Sequence, residues 1–322
     1  MKRVNGFLDL DDYFKNLKEQ KNLNNFEFLL QDYVLESDYK EHHYWLKINN
    51  EYYYFKPSGS IYEEIMASEC AKFLGISSSE VDLAIFHNFE GIISKSYRKE
   101  NCNYISLLDI LQKYLINNKN TNILEQMGYV LDIEIEDLED ELFISKEINN
   151  LEIIWQALDE KYQNKEEISK IMHDLVLRFI LNILILQNDA EPQNYEIEES
   201  ENEINLMPFI DGELCFMHSE FFESYSSLAI NFNDIDNNYD HLREFLKISS
   251  QEYIDLFLEK FDLLTLEQFN IIFKNIEKRI KVEIPTNIKK RIILSYKINR
   301  KKIDDILEEM KIRDKGVIIH GK

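Results

Sequence analysis

A chain of 322 residues with 44% hydrophobic and 12% aromatic residues can build a substantial core, which excludes a disordered polypeptide. The formal charge of −23 disfavours nonspecific binding to nucleic acid or to an anionic membrane, since both require cationic surface. Three scattered cysteines, Cys70, Cys102 and Cys215, make neither a disulfide framework nor a C-x-x-C metal knuckle, and 8 Gly with 4 Pro favour a largely helical chain.

The start, Met1 to Asp9, turns acidic too soon for a signal peptide. The longest apolar run, Leu175 to Leu186, contains Arg178 and Asn182 and is too short to span a bilayer. The expectation is a cytoplasmic protein with no membrane and no direct nucleic-acid partner; secretion by a route without a cleaved signal stays open.

Phe7, Leu8, Leu10, Tyr13, Phe14 and Leu17 recur at three and four, which predicts a leading helix over 7–31. His43–Ile48 and Tyr52–Lys56 read as strands of a hairpin across Asn49-Asn50-Glu51. The aromatic run Tyr52-Tyr53-Tyr54-Phe55 reads as strand packing. A helix follows from Tyr62 to Leu74, with Glu63 and Glu64 in its first turn and Gly75 as its stop. Val81–Phe86 and Gly91–Tyr97 form a second hairpin. The polar stretch Arg98–Asn103 reads as a hinge between an amino-terminal lobe, 1–98, and a helical lobe, 99–322. Helices are expected near 105–116, 121–135, 150–161, 166–186, 239–247, 250–262, 266–280, 285–297 and 299–311. Glu196 to Glu203 reads as an exposed hairpin turn, followed by a strand over Ile204–Ile210 that ends at Asp211.

One stretch carries chemistry. The apolar run to Leu186 stops at a polar loop in which Asp189 is followed five positions later by Asn194, and the next strand delivers Asp211. Asp-x-x-x-x-Asn, then a strand and an acid, is the polar skeleton of a kinase catalytic loop and its metal-binding acid. One carboxylate orients the attacking hydroxyl, while an amide and a second carboxylate hold Mg²⁺ against nucleotide phosphates. The same residues also serve as ordinary turn formers, so the loop alone does not decide.

Further segments carry a resemblance. Tyr44-Trp45-Leu46-Lys47, Tyr54-Phe55-Lys56-Pro57, Glu64 through Ile76, Val81-Asp82 and Gly91-Ile92-Ile93-Ser94 resemble the amino-terminal lobe of HipA-like kinases. Phe179-Ile180-Leu181-Asn182, Asn188-Asp189, Asn194 and Pro208-Phe209-Ile210-Asp211 are similar to that family's catalytic helix, loop and metal strand. The resemblance runs from about residue 44 to 215. It implies an α+β, bilobal protein-kinase-like fold with a β-rich first lobe and ATP and Mg²⁺ between the lobes. It implies a serine/threonine protein kinase, with a protein substrate carrying the acceptor and an antitoxin or host protein as partner. Lys56 would contact the α/β phosphates and Glu64 would pair with it. Asp189 would be the catalytic Asp, with Asn194 and Asp211 the Mg²⁺ ligands. Glu63 and Glu69 compete for the role of Glu64, which lies at the family's spacing, seven residues before Ala71.

The chain departs from the family at Ala190-Glu191, where Arg or Gly and then His are usual, and over Leu35–Lys40, where the phosphate-covering loop has no glycine. A pseudokinase acting as a binding module and a small-molecule phosphotransferase are the alternatives. The seven histidines show no metal spacing, no base is placed beside Cys215, and Ser37 is a candidate autophosphorylation site by position alone. The basic residues Lys289, Lys290, Arg291, Arg300, Lys301 and Lys302 read as a solvated helix face.

Overall fold

The computed structural model describes residues 2–13, 15, 44–48, 51–57, 59–99, 102–117, 151–187, 194–201, 203–208, 215–216 and 233–312. The chain divides into two compact units: Met1–Arg98 with Pro208–Phe221 and Lys260–Asn299, and Lys99–Met207 with Phe222–Glu259 and Arg300–Lys322. The fold class is α+β. No helix among the described residues is long and apolar enough to cross a membrane.

The first unit is built on a six-stranded sheet of order β1-β2-β5-β6-β4-β3. Its strands are β1 (Arg3–Val4), β2 (Phe7–Asp9), β3 (Tyr44–Ile48), β4 (Glu51–Pro57), β5 (Val81–Phe86) and β6 (Phe89–Lys95). Both expected hairpins are present, β3 with β4 and β5 with β6. The second turns on His87 and Asn88, both at positive φ (51° and 65°), which suits the right-handed twist of the flanking strands. Asp11 secures this turn by accepting from the His87 and Asn88 amides at 3.0 and 3.3 Å. Helix α1 (Ile61–Phe73) follows β4 and ends at Gly75, whose φ of +75° is the left-handed stop expected there.

The strand period of two sorts the sheet's faces. Phe55, Ala84, Phe86 and Ile93 join Leu10, Leu46 and Ile48 in one core cluster. Ile65, Met66, Ala67, Cys70 and Ala71 of α1 are fully buried beside β5. Each large apolar side chain removed from water in this way contributes about 1.5–3 kcal/mol.

The amino terminus differs from expectation. Residues 7–9 are a strand, not the start of a helix: β2 pairs antiparallel with β1 and parallel with β5. Asn5 and Gly6 turn the hairpin at φ 49° and 93°. A helical turn begins at Leu10, where Asp9 accepts from the Asp12 amide at 2.9 Å. The rest of the expected leading helix, from residue 16, lies outside the described residues, as does the predicted helix 121–135.

The second unit holds a three-stranded sheet, β7 (Asn103–Ser106), β8 (Glu196–Glu199) and β9 (Ile204–Leu206), in that order. Glu196–Glu199 is thus the central strand, not an exposed turn; only the residues after it turn, with the Ser200 amide donating to Glu203 O at 3.0 Å. Ile197 is buried, and so is Glu198, whose carboxylate accepts from Lys99 Nζ at 2.7 Å and Tyr104 Oη at 2.9 Å. Helices α2 (Leu107–Asn117), α3 (Leu151–Tyr162) and α4 (Lys165–Ile185) share an apolar core with this sheet.

The remaining described helices are α5 (Asn233–Ile248), α6 (Gln251–Leu263), α7 (Leu266–Ile280) and α8 (Thr286–Glu309). The break expected at Ile298 is absent and α8 is continuous. Neither Gly nor Pro interrupts it, and Ile292, Tyr296, Asn299 and Ile303 are buried along one stripe through the expected gap.

Candidate active site

Lys56 is the sixth residue of β4. Alternation sends Phe55 into the core cluster and Lys56 to the opposite face. There Lys56 Nζ donates to Glu64 Oε1 at 3.1 Å, across the short span between the strand and the first turn of α1. The pair is shielded: the Lys56 side chain is 14% exposed and that of Glu64 2%. A buried carboxylate needs a cation, and the cation needs an anion to hold its flexible stem, so each fixes the other.

The competitors for this role are engaged elsewhere. Glu69 accepts from Arg279 at 3.2 Å and from Lys72 at 3.1 Å. Glu63, 1% exposed, is ion-paired with Arg291 of α8. That contact is electrostatic, since neither Glu63 carboxylate oxygen makes a hydrogen bond of regular geometry. Burial pushes the Arg291 guanidinium pKa below its ordinary value. Lys289 pairs with Glu277 at 2.5 Å. Two residues of the expected solvated basic face therefore hold acids. Their sequence signature, a run of cations on a helix far downstream, does not reveal their partners.

Gly91 of β6 completes the Lys56 surroundings. It lies opposite Pro57, and a Cβ built on it meets the Lys56 backbone carbonyl, with the carbonyl carbon and Pro57 Cα both at 2.9 Å. Only glycine allows β4 to approach this closely.

The polar loop is anchored at both ends. Helix α4 stops at Leu186, which takes the left-handed conformation and donates its amide to Asn182 O; the Gln187 amide donates to the same oxygen at 2.9 Å. On the far side Asn194 is half-buried, and Tyr195 is buried. The Tyr195 hydroxyl accepts from Asn182 Nδ2 at 2.6 Å, and its carbonyl accepts from the Leu107 amide at 2.8 Å. Arg178, one turn before Asn182, is also buried; its guanidinium lies over the Tyr195 ring at 5.7 Å and donates to Met207 O. The two polar residues in the apolar run thus hold Tyr195 and Met207; β9 ends at Leu206, with Met207 and Pro208 outside the strand expected to run to Ile210. The i, i+4 spacing of Arg178 and Asn182 on one helix face was the available signal.

Asp189 and Asp211 lie outside the described residues, as do Ser37, Ala190, Glu191 and the Leu35–Lys40 loop. Just beyond Asp211, Cys215 and Phe216 are buried, and Phe216 O accepts from Ser295 Oγ at 2.6 Å. Among the described residues no cluster of three His, Cys, Asp or Glu could hold a metal. The oxygen donors named for Mg²⁺ are of the chemical type it takes, amide and carboxylate, and the Lys56–Glu64 pair sets an ammonium beside a buried carboxylate.

No curated protein matches the chain. One family model, described as a putative cell wall binding repeat, matches residues 45–61. That segment is the aromatic β3–β4 hairpin with the first residue of α1, too little of the chain to assign a family. Among solved structures, HipA from the toxin–antitoxin system of Shewanella oneidensis MR-1, in complex with HipB and operator DNA, is similar over 92% of this chain and 72% of that one, with a TM-score of 0.40 and 12% identity. The Helicobacter pylori proinflammatory kinase CtkA is similar over 84% of this chain and 94% of that one, with a TM-score of 0.56 and 18% identity. The likeness to CtkA shows the fold, and this chain has a kinase-type fold.

Proposed function

We propose that this protein is an ATP- and Mg²⁺-dependent kinase of HipA-like type that phosphorylates a Ser or Thr hydroxyl on a protein. The observation that carries the reading is the shielded Lys56–Glu64 ion pair, strand to helix, within a kinase-type fold. In this reading Lys56 directs its charge to the α/β phosphates, and Glu64 keeps the ammonium from wandering. Asp189 accepts the hydrogen bond of the attacking hydroxyl and orients it. Asn194 and Asp211 hold Mg²⁺, which neutralises phosphate charge when bound. Catalysis then rests on positioning and electrostatics, with no covalent enzyme intermediate. The net charge of −23 favours a basic protein as substrate. An antitoxin or host partner follows from the family resemblance alone.

The test is incubation with Mg²⁺ and γ-labelled ATP, alone and with a generic basic protein, beside Lys56→Met, Asp189→Asn and Asp211→Asn. Label on the wild type that vanishes in the variants supports the reading. ATP binding without any transfer turns it into a nucleotide-binding module, and label that survives the Asp substitutions means that the site is misplaced.

A further inference from the structure

Glu63 and Glu64 are successive residues of α1, both nearly devoid of solvent, and they turn to different partners. Successive helical positions are about 100° apart, so one carboxylate meets Lys56 from the sheet while the other meets Arg291 from α8. We infer that Arg291 is a positioning residue for the nucleotide site: its ion pair with Glu63 fixes the first turn of α1 and thereby the Lys56–Glu64 pair. The inference rests on the kinase reading above.

A second clamp defines what moves when the first is lost. Arg279 of α7 donates to Glu69 Oε1 at 3.2 Å and to the Val81 carbonyl at 2.6 Å, tying the middle of α1 to β5. With the middle held, loss of Arg291 is felt at the amino-terminal turn. Without its cation Glu63 is a buried charge that must rotate toward water, and Glu64 is the next residue along the same backbone. Ser295 lies one turn beyond Arg291 on α8 and holds the Phe216 carbonyl, five residues after Asp211. A single helix face therefore secures α1 and the segment that follows the predicted metal acid. All these residues belong to the first unit.

The experiment compares wild type, Arg291→Ala, Arg291→Lys, Glu63→Gln, the Arg291→Ala/Glu63→Gln double variant and Lys56→Met. The readouts are the Kd of a fluorescent ATP analogue with Mg²⁺, amide hydrogen exchange over residues 61–73 without nucleotide, and Tm. Arg291→Ala is expected to bind the analogue roughly tenfold more weakly, because a charge-assisted contact from Lys56 to phosphate weakens when its ammonium is no longer held in place. Exchange should quicken in the first turn of α1. Arg291→Lys, which keeps the charge, should recover most of the affinity. Glu63→Gln, which loses the ion pair but leaves no buried charge, should weaken binding less than Arg291→Ala, and the double variant should match Glu63→Gln. If Arg291→Ala does not fold, Arg291→Lys and Glu63→Gln carry the comparison. Wild-type affinity in Arg291→Ala or Glu63→Gln, with Lys56→Met still weakened, overturns the inference alone. A wild type that does not bind the analogue overturns the kinase reading and the inference together.

Discussion

Replacing Gly91 by alanine puts one methyl group against the backbone that carries Lys56. The new Cβ meets the Lys56 carbonyl oxygen and lies 2.9 Å from the Lys56 carbonyl carbon and from Pro57 Cα. Relaxed carbon–carbon contacts sit at about 3.5–4.0 Å, so β4 must withdraw from β6 by roughly 0.6–1.1 Å. No rotamer change absorbs this, because the opposing atoms are main chain. The ladder has little reserve there, since Pro57, opposite Gly91, donates no amide. Overpacking of this kind costs about 1–3 kcal/mol, which lowers Tm on the order of 5 °C. The displacement also moves Lys56 against Glu64, which stays with α1, and stretches a contact of 3.1 Å. Under the proposed function, affinity for Mg²⁺-ATP falls about tenfold, as a charge-assisted Lys56–phosphate contact weakens. The assay pairs thermal denaturation with nucleotide titration, and Gly59→Ala is the control, because a Cβ there meets nothing within 4 Å. Wild-type Tm and affinity in Gly91→Ala, indistinguishable from the control, would refute the steric argument.

Tyr195→Phe removes the acceptor of Asn182 Nδ2 inside the second unit and leaves a buried amide donor unsatisfied; denaturant unfolding should show a loss of about 1–3 kcal/mol, and no change would mean the strut carries no load. Burial raises the Asp174 carboxyl pKa, opposed by His173, Lys170 and Arg178. A folded value above the unfolded one favours the protonated form, so this stabilisation is present below the unfolded pKa of about 3.9 and is lost as pH rises through the folded value. Asp174→Asn fixes the neutral form and should raise Tm at pH 7, with the gain shrinking as pH falls toward about 4; an equal or lower Tm at pH 7 contradicts this. Cys70 and Cys215 are buried, and burial pushes the Cys70 thiol far up. A thiol reagent should therefore label Cys102 rapidly in the native protein and the other two only on denaturation, as peptide mapping would show.

Local signals carried far. The two hairpins, α1 with its glycine stop and the long helices follow from period and punctuation, because their hydrogen bonds close within a few residues. The members of the Lys56–Glu64 pair are eight residues apart in one strand–helix step, but the choice of Glu64 over Glu63 and Glu69 came from the family resemblance. The three-and-four spacing of Phe7, Leu8 and Leu10 reads as helical, and pairing with β1 and with the distant β5 makes residues 7–9 a strand. Glu196–Glu199 shows the limit more sharply. Four residues with three acids read as solvated; they form a central strand because Lys99 and Tyr104, distant in the chain, neutralise and bond the buried Glu198. Likewise nothing near Arg291 announces Glu63, and nothing near Gly91 announces the Lys56 carbonyl. The sequence by itself determined most of the described strands and helices through period and punctuation, and it named the residues for which a kinase role is proposed. Tertiary structure alone decided which buried charge met which partner, since that depends on chain segments brought together only by packing.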